Sequence, residues 1–422
     1  MRNTDSTGIA PLTGEFVMTD LALRPPLPPL PSPLPSPLPS PLIGSVILAL
    51  SGCPNGGGGA PAPAASSSTG PAASSSTGPD DTSSSSGSST AAVDSTGSSS
   101  ASSTGDTEGS TGTTGPGIVD AGCPECTVLA DGLVSGRGLS LHGDFVYLTD
   151  QEVGTVLRVP RSGGEVEQLA NLQSEPYDVA ANDDYVYWTT FVEGGSVWRA
   201  ELPDGLPIAL SADDFPRMLQ LHGDHVYWCA FDDTEGRVRR VLGTGIAQPP
   251  ETLVSVGSGV ADLVVDGDLV YFTAHNPPTM KGLAPSGDVY VASAIMPTDL
   301  LDLTVLAFDQ AEPWGLALGN DTLFWVNGIG NPLDLPHRVL SLPSMGMVAP
   351  TVMASEQTAP WGVAADDAFV YWTDYTEVKA LPHTGGEPIL LARMQTIARS
   401  IVVDADSVYW ITRERLLQRP KP

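Results

Sequence analysis

One feature is repeated through most of the sequence, a short apolar run with an aromatic residue at its centre. Seven runs occur, and they are centred on Tyr147, Tyr187, Tyr227, Tyr271, Phe324, Tyr371 and Tyr409. Their spacing of about 40 residues is typical of the four-stranded blades of a β-propeller. An Asp stands three residues before most of these aromatics, as Asp144 does in the first run. Because Asp between two apolar runs is typical of hairpin turns, each aromatic run is predicted to be a strand that follows a turn.

Each repeat divides into four short runs rich in β-branched and aromatic residues. The first is typified by residues 362–365, the second is the aromatic run, the third is typified by residues 155–160, and the fourth ends in a pair such as Leu391 and Ala392. No long stretch after residue 117 has helical periodicity. We therefore predict an all-β fold, a β-propeller of seven four-stranded blades, with six or eight blades as alternatives because of one irregular interval near residues 294–302.

The two ends of the repeat region complement each other. The seventh repeat stops after its third strand, at residues 416–420, while residues 127–130 match the fourth-strand pattern and precede the first repeat. We predict that this early strand pairs with the last blade and closes the ring, which removes both free sheet edges.

The first 52 residues are predicted to be a signal and processing region. Residues 25–42 repeat Pro-Leu-Pro-Ser, an apolar run covers residues 42–50, and Cys53 follows directly. Nine apolar residues are too few to span a bilayer but are sufficient for a signal-peptide core. The sequence of residues 50–53, Leu-Ser-Gly-Cys, resembles the bacterial lipobox, which implies lipidation of Cys53. The alternative is a free Cys in a disordered tail.

Residues 53–122 are predicted to be a disordered tether carrying the lipidated Cys, and residues 123–422 the propeller domain. The segment from 54 to 117 consists almost wholly of small and polar residues, so little apolar surface is available to offset the entropy of ordering it. A lipid anchor and a long tether together predict a cell-envelope protein, an outer-membrane lipoprotein that faces the periplasm or the cell surface.

The charge of the chain restricts its partners. The net charge is −30, and residues 1–116 hold only two of the 19 basic and eight of the 49 acidic residues, which leaves about −24 for the remainder. An acidic surface repels phosphate backbones and anionic headgroups, so nucleic acid is excluded as a partner and the membrane is reached only through the anchor. The same charge is compatible with a cationic ligand, or simply with solubility.

The sixth repeat shows a resemblance to a known class. Residues 371–374 read Tyr-Trp-Thr-Asp, and residues 360–366 precede them as Pro-Trp-Gly-Val-Ala-Ala-Asp. The repeat resembles the YWTD repeat of the low-density-lipoprotein-receptor class B propellers, here in a bacterial lipoprotein of unknown role. The full motif occurs only once, and those receptor propellers have six blades. The resemblance therefore implies the fold more strongly than a receptor function.

A candidate binding face follows from the register of the repeats. The residues ten places before the central aromatics, and those that follow them, should meet at one mouth of the channel. Large aromatic and Arg side chains there would offer apolar surfaces and planar donors suited to a sugar, a peptide or a carboxylate. The predicted ligand-binding residues are Arg137, Tyr177, Asp178, Arg217, Asp262, Trp314, Trp361 and Arg399. The alternative is that the Trp-Gly pairs only pack between adjacent blades.

The sequence shows no catalytic or metal-binding motif, so we expect no enzyme activity, metal or cofactor. Cys123 and Cys126 form a CxxC pair without a second Cys pair for zinc, which predicts either a local disulfide or inert thiols. Three functions remain open: a tethered monomer that binds a small ligand or an envelope protein, a lyase- or hydrolase-type propeller enzyme acting at the channel mouth, and a structural envelope scaffold.

Overall fold

The computed structural model describes residues 120–257, 259–275, 286–328, 337–346 and 348–422. Cys53, the signal region and nearly all of the predicted tether lie outside the described residues. Within the described ranges, no helix is long and apolar enough to cross a membrane. The described strands are β1 (Thr127–Asp131), β2 (Gly136–His142), β3 (Phe145–Asp150), β4 (Thr155–Pro160), β5 (Glu167–Ala170), β6 (Pro176–Ala181), β7 (Tyr185–Thr190), β8 (Ser196–Glu201), β9 (Ile208–Ala212), β10 (Leu219–His222), β11 (His225–Phe231), β12 (Gly236–Leu242), β13 (Glu251–Val256), β14 (Gly259–Asp266), β15 (Leu269–His275), β16 (Gly287–Ser293), β17 (Thr304–Gln310), β18 (Pro313–Gly319), β19 (Thr322–Asn327), β20 (Arg338–Pro343), β21 (Thr351–Ala354), β22 (Pro360–Ala365), β23 (Phe369–Asp374), β24 (Glu377–Pro382), β25 (Ile389–Ala392), β26 (Ile401–Val403), β27 (Ser407–Ile411) and β28 (Arg415–Pro420).

The strands form seven antiparallel sheets of four strands, one for each aromatic repeat. Strands β2 to β5 form the first blade, and each following set of four consecutive strands forms the next blade, up to β22 to β25 in the sixth. The prediction of an all-β propeller with seven four-stranded blades is confirmed. The irregular interval in the fourth repeat lengthens a loop and does not change the number of blades.

The seventh blade combines the two ends of the domain. Strands β26, β27 and β28 are completed by β1, which pairs antiparallel with β28. In this pairing Val128 lies opposite Leu417 and Ala130 opposite Leu416, and Leu129 is fully buried. The predicted closure of the ring by residues 127–130 is therefore confirmed.

The core consists of seven layers between adjacent blades, and each aromatic run contributes to two of them. In the second blade Val186 and Trp188 face the first blade, where they pack with its Tyr147. Successive side chains of a strand point to opposite faces, so Tyr187 packs against the third blade instead. The pairs across the other interfaces are Tyr187 with Trp228, Tyr227 with Phe272, Tyr271 with Trp325, Phe324 with Trp372, Tyr371 with Trp410, and Tyr409 with Leu148.

In four blades the tryptophan of this run also holds the loop that enters the blade. Trp188 donates its indole N–H to Oε1 of Gln173, 15 residues earlier, over 2.9 Å. The same bond recurs at the same separation in three further blades, from Trp228 to Asp213, from Trp372 to Gln357 and from Trp410 to Gln395. Because the acceptor precedes the first strand by a few residues, the bond fixes where that strand begins at the channel.

The insertion in the fourth blade is a loop, not an additional strand. Residues 294–302 connect β16 to β17 and turn back over the third blade. There the N–H of Thr298 donates to the carbonyl of Leu253 over 2.7 Å, and Arg240 donates to the carbonyl of Ala294 over 2.6 Å. Residues 294–302 therefore form no additional strand.

Candidate binding site at the channel mouth

The predicted site residues lie where the first strands of the blades begin. Seven of the eight line a cavity of about 40 Å³ at that mouth of the channel: Arg137, Tyr177, Asp178, Asp262, Trp314, Trp361 and Arg399. A wider channel of about 420 Å³, lined by the first strands, continues from the two Asp residues. Arg217 lies behind this lining and is only 3% exposed.

Threonines of the aromatic strands hold the backbone of the mouth residues. The hydroxyl of Thr373 donates to the carbonyl of Arg399 in the next blade over 2.7 Å and accepts the N–H of Gly362 over 2.9 Å. Hydroxyl bonds of the same kind reach from Thr149 to Tyr177 and from Thr273 to Trp314. The site is therefore carried by strand ends that are bonded from blade to blade.

Arg137 is held against two aromatic rings. Its guanidinium carbon lies 4.1 Å from the ring centroid of Tyr177 and 4.9 Å from that of Trp361. The guanidinium also donates to the hydroxyl of Tyr177. Arg137 is thus oriented by cation–π contacts and a neutral hydroxyl, and it remains partly exposed at the mouth.

Arg217 reaches across the fourth blade to the fifth. Its Nε donates to the carbonyl of Val260 over 2.9 Å, and its guanidinium carbon lies 5.0 Å from the ring centroid of Trp314. The small side chain of Ala261 stands where other blades carry Arg or Trp, which leaves room for this crossing. Burial lowers the pKa of Arg217.

Trp314 is packed by its neighbours as well as by Arg217. The imidazole of His275 is parallel to its ring, with the centroids 5.0 Å apart, and Trp361 meets it edge-on at 5.7 Å. Burial, followed by the charge of Arg217, lowers the pKa of His275 to about 4, so this imidazole is neutral at physiological pH. Trp314 and Trp361 both stay half-buried at the rim.

Arg399 closes the ring beside Arg137. Its Nη1 donates to the hydroxyl of Ser135 over 3.1 Å and to the carbonyl of Gly136 over 3.0 Å. Its Nε is buried and has no hydrogen-bond partner within the described ranges. Burial, and then repulsion by Arg137, lowers the pKa of Arg399 to about 10, so it stays a cation with a donor that the protein leaves unused.

Two buried carboxyl groups lie between the mouth and the channel. Burial raises the pKa of Asp178 to about 6 and that of Asp262 to about 7. Each accepts a backbone N–H from the next blade over 2.9 Å, Asp178 from Leu219 and Asp262 from Leu316. These bonds oppose the rise in pKa and connect neighbouring blades, so both residues have a structural role in addition to their position at the mouth.

The Trp-Gly pairs both line the candidate binding face and pack between adjacent blades, the two roles that the sequence allowed. A Cβ on Gly362 would lie 2.3 Å from the carbonyl oxygen of Arg399, and one on Gly315 would lie 2.4 Å from that of Trp361. The glycines therefore permit close packing between blades. Their preceding residues, Trp314 and Trp361, nonetheless line the mouth cavity.

A second layer of aromatic side chains surrounds the mouth, and sequence reasoning missed Phe191 among them. Phe191 lies 4.9 Å from the ring of Tyr177 and 5.8 Å from that of Phe231, and Phe231 also lies under Arg217. Phe191, Phe231 and His275 each stand four residues after the central aromatic of their blade. This shared offset is the sequence signal that would have identified Phe191.

Other sequence predictions have different outcomes. Cys123 and Cys126 are joined in a disulfide, and Cys229 is a buried free thiol. Among the described residues, no group of three or more His, Cys, Asp or Glu is arranged to hold a metal ion. Residues 276–278 and 329–336, which follow the aromatic strands of the fourth and fifth blades, lie outside the described residues.

No protein-family model and no curated protein sequence matches this chain. Among solved structures, streptogramin B lyase is similar with a TM-score of 0.54 and 13% identity, covering 70% of this chain and 96% of the lyase. Hydrazine synthase from Kuenenia stuttgartiensis has a TM-score of 0.53 and 12% identity, covering 68% and 96%. A chain of the nidogen/laminin complex is 19% identical over 59% of this chain and 95% of its own, and at its TM-score of 0.43 we infer nothing from it. These similarities show the propeller fold and do not indicate an activity for this chain.

Proposed function

We propose that this protein is a non-enzymatic binding propeller, tethered to the cell envelope, that takes its ligand at the channel mouth. One observation carries the proposal, the convergence of Arg137, Arg399, Trp314 and Trp361 around a cavity at the end of the channel. Half-buried aromatic rings and planar cations at one concave position are typical of recognition sites.

The size of the cavity limits how a ligand binds there. About 40 Å³ accommodates about three water molecules, so only one polar group of a ligand enters it. The remainder of the ligand would lie outside, against the rim formed by Trp314 and Trp361. A small ligand, or one side chain of a larger envelope partner, fits this arrangement.

The envelope location is proposed from the sequence around Cys53. An apolar run, a lipobox-like tetrapeptide and a long polar segment follow one another in the order expected of a tethered lipoprotein. Metabolic labelling of producing cells with a lipid precursor tests this. We expect label on the wild type and none on Cys53→Ala, and an unlabelled wild type would contradict the anchor.

An enzyme acting at the mouth is the second candidate, and Asp262 is the observation that favours it. A carboxyl group with a pKa of about 7 beside a cavity has the acidity of a general acid or base. Both of its oxygens, however, accept backbone N–H groups, from Leu263 and Leu316. We therefore prefer a structural role for this carboxyl, and a bound ligand recovered unchanged after prolonged incubation would support binding over catalysis.

A thermal-shift screen of the purified chain against sugars, peptides and organic anions tests the proposed function. We expect at least one class to raise the melting temperature of the wild type, and the double variant Trp314→Ala with Trp361→Ala to abolish that shift. Trp198→Ala is the matched control, since Trp198 is a half-buried tryptophan on the third strand of the second blade and does not line the mouth cavity. If no class stabilises the wild type, or if the control loses the shift equally, the scaffold function is favoured instead.

A further inference from the structure

The Arg residues at the mouth differ from most other cations of the domain. Ten Arg and Lys side chains in the described ranges form ion pairs with carboxylates, as Arg158 does with Glu167 and Lys379 with Asp374. Arg137, Arg217 and Arg399 form none there; their partners are rings, two hydroxyls and backbone carbonyls. Three cations are therefore brought together at one site without an ion-paired carboxylate in the described ranges, in a chain of strongly negative net charge.

The carboxyl groups at the mouth compensate this charge only in part. Asp178 and Asp262 are the acidic residues that line the cavity. Each accepts a backbone N–H of the next blade through one oxygen, and Asp262 accepts the N–H of Leu263 through the other; neither forms an ion pair with a guanidinium group in the described ranges. Burial raises the pKa of both, which reduces their negative charge near neutral pH. The positive charge of three guanidinium groups thus exceeds the local negative charge.

Placing cations on aromatic faces is a weak form of compensation. A desolvated guanidinium gains more from a hydrogen-bonded anion than from a cation–π contact. Arg399 retains a buried Nε without a partner in the described part of the chain, and Arg137 is partly exposed beside it. The mouth therefore has unused capacity to bind an anion.

We propose that the mouth binds an organic carboxylate, with the carboxylate group in the cavity beside Arg137 and Arg399 and the apolar part against Trp314 and Trp361. This proposal rests on the proposed function and specifies its ligand class. A carboxylate replaces two or three waters, which suits a cavity of about 40 Å³, and its two oxygens suit the planar donors of Arg. Arg217, which is almost fully buried, contributes its charge from behind Trp314.

Calorimetric titration of the full chain with benzoate, benzamide and inorganic phosphate tests the ligand class. Benzamide has the shape of benzoate without its charge, and phosphate has charge without an apolar part. We expect benzoate to bind at least about tenfold more tightly than either, because benzamide cannot accept a charge-assisted hydrogen bond and phosphate has no apolar part to lie against Trp314 and Trp361.

Substitutions locate the binding. Arg137→Gln and Arg399→Gln should each weaken benzoate binding about tenfold or more, while Arg393→Gln, which changes an exposed Arg outside the cavity, should alter it less than about twofold. Arg137→Lys keeps the charge but lacks the planar donors, and it replaces the Gln variant in this test if a Gln variant does not fold. It should recover part of the affinity.

The outcomes separate this proposal from the proposed function. Equal binding of benzoate and benzamide, tighter binding of phosphate, or unchanged benzoate binding in both Gln variants would each overturn the carboxylate proposal. If benzoate fails to bind while a neutral ligand from the thermal-shift screen binds in a Trp314- and Trp361-dependent way, only the carboxylate proposal falls. If no ligand of any class binds at the mouth, both proposals fall.

Discussion

Replacing Asp262 by Asn should change how the stability of the domain depends on pH. Burial raises the pKa of this carboxyl from its ordinary value of 3.8 to about 7 in the folded protein. Because the folded state then binds the proton more tightly than the unfolded state, protonation of Asp262 favours folding. The contribution of this protonation to the free energy of unfolding is fully present below about pH 4 and is lost as the pH rises through about 7.

The magnitude follows from the two pKa values. At 1.36 kcal/mol per pKa unit, ionising Asp262 in place costs the folded state about 4 kcal/mol once the pH is well above 7. Between pH 5 and pH 8, about 2 to 3 kcal/mol of this cost appears. Asn carries no charge, so the variant does not lose this free energy of unfolding.

Asn also removes one acceptor. Asp262 accepts the N–H of Leu263 through Oδ1 and that of Leu316 through Oδ2, and an amide can serve only one of them through oxygen. The lost bond costs about 1 to 3 kcal/mol at any pH. It therefore lowers the stability of the variant by a constant amount and cancels when the two pH values are compared.

Urea unfolding of wild type and Asp262→Asn at pH 5 and pH 8 measures the effect. The free energy of unfolding of the variant, relative to wild type, should rise by about 2 to 3 kcal/mol from the lower to the higher pH. Asp224→Asn, in an exposed hairpin turn of the third blade, is the matched control and should show no such change. A relative stability of Asp262→Asn that is constant within about 0.5 kcal/mol would refute the inference that this carboxyl is destabilised by burial.

Three further outcomes are expected from the way the blades are joined, each measured by urea unfolding. Thr373→Val leaves the carbonyl of Arg399 and the N–H of Gly362 without their partner, which should cost about 2 to 4 kcal/mol, whereas Thr373→Ser should cost less than about 1 kcal/mol; equal losses would contradict the bonding. Removing residues 1–131 deletes β1 and the fully buried Leu129, so it should cost at least about 3 kcal/mol, while removal of 1–119 leaves the unfolding transition unchanged; the same stability for both truncations would argue against ring closure. Gly362→Ala forces a Cβ against the carbonyl of Arg399 and should destabilise by about 1 to 3 kcal/mol, and a neutral effect would show that the two blades separate easily.

The number of blades and the closure of the ring could be predicted because each blade repeats the same local requirements. A hairpin turn at Asp144 and an aromatic run around Tyr147 specify one pair of strands, and seven copies specify seven blades. The early strand at residues 127–130 was recognisable because it matches a pattern that the last blade lacks. The local sequence pattern of each repeat agrees with the global fold, so the fold can be predicted from the sequence.

The candidate site was predictable only in part. Register placed Arg137, Trp314, Trp361 and Arg399 at one end of the channel, because equivalent positions of a repeat occupy equivalent places in the ring. It did not show that Arg217 crosses over Ala261 to lie behind Trp314, since that path depends on the volume of a neighbour in another blade. Phe191 was missed because it follows the last residue of β7, where the alternation of the strand no longer applies.

The sequence by itself therefore determined the architecture, because strands, turns and their number follow from interactions among residues close together in the chain. Only the tertiary structure decided the electrostatics of the mouth. Three Arg residues about 80 to 260 residues apart in sequence lie together there without ion-paired carboxylates in the described ranges, and two Asp residues are buried enough to raise their pKa. The physical reason is that burial and charge pairing depend on distances between blades, which the ring closure sets and which no single repeat encodes.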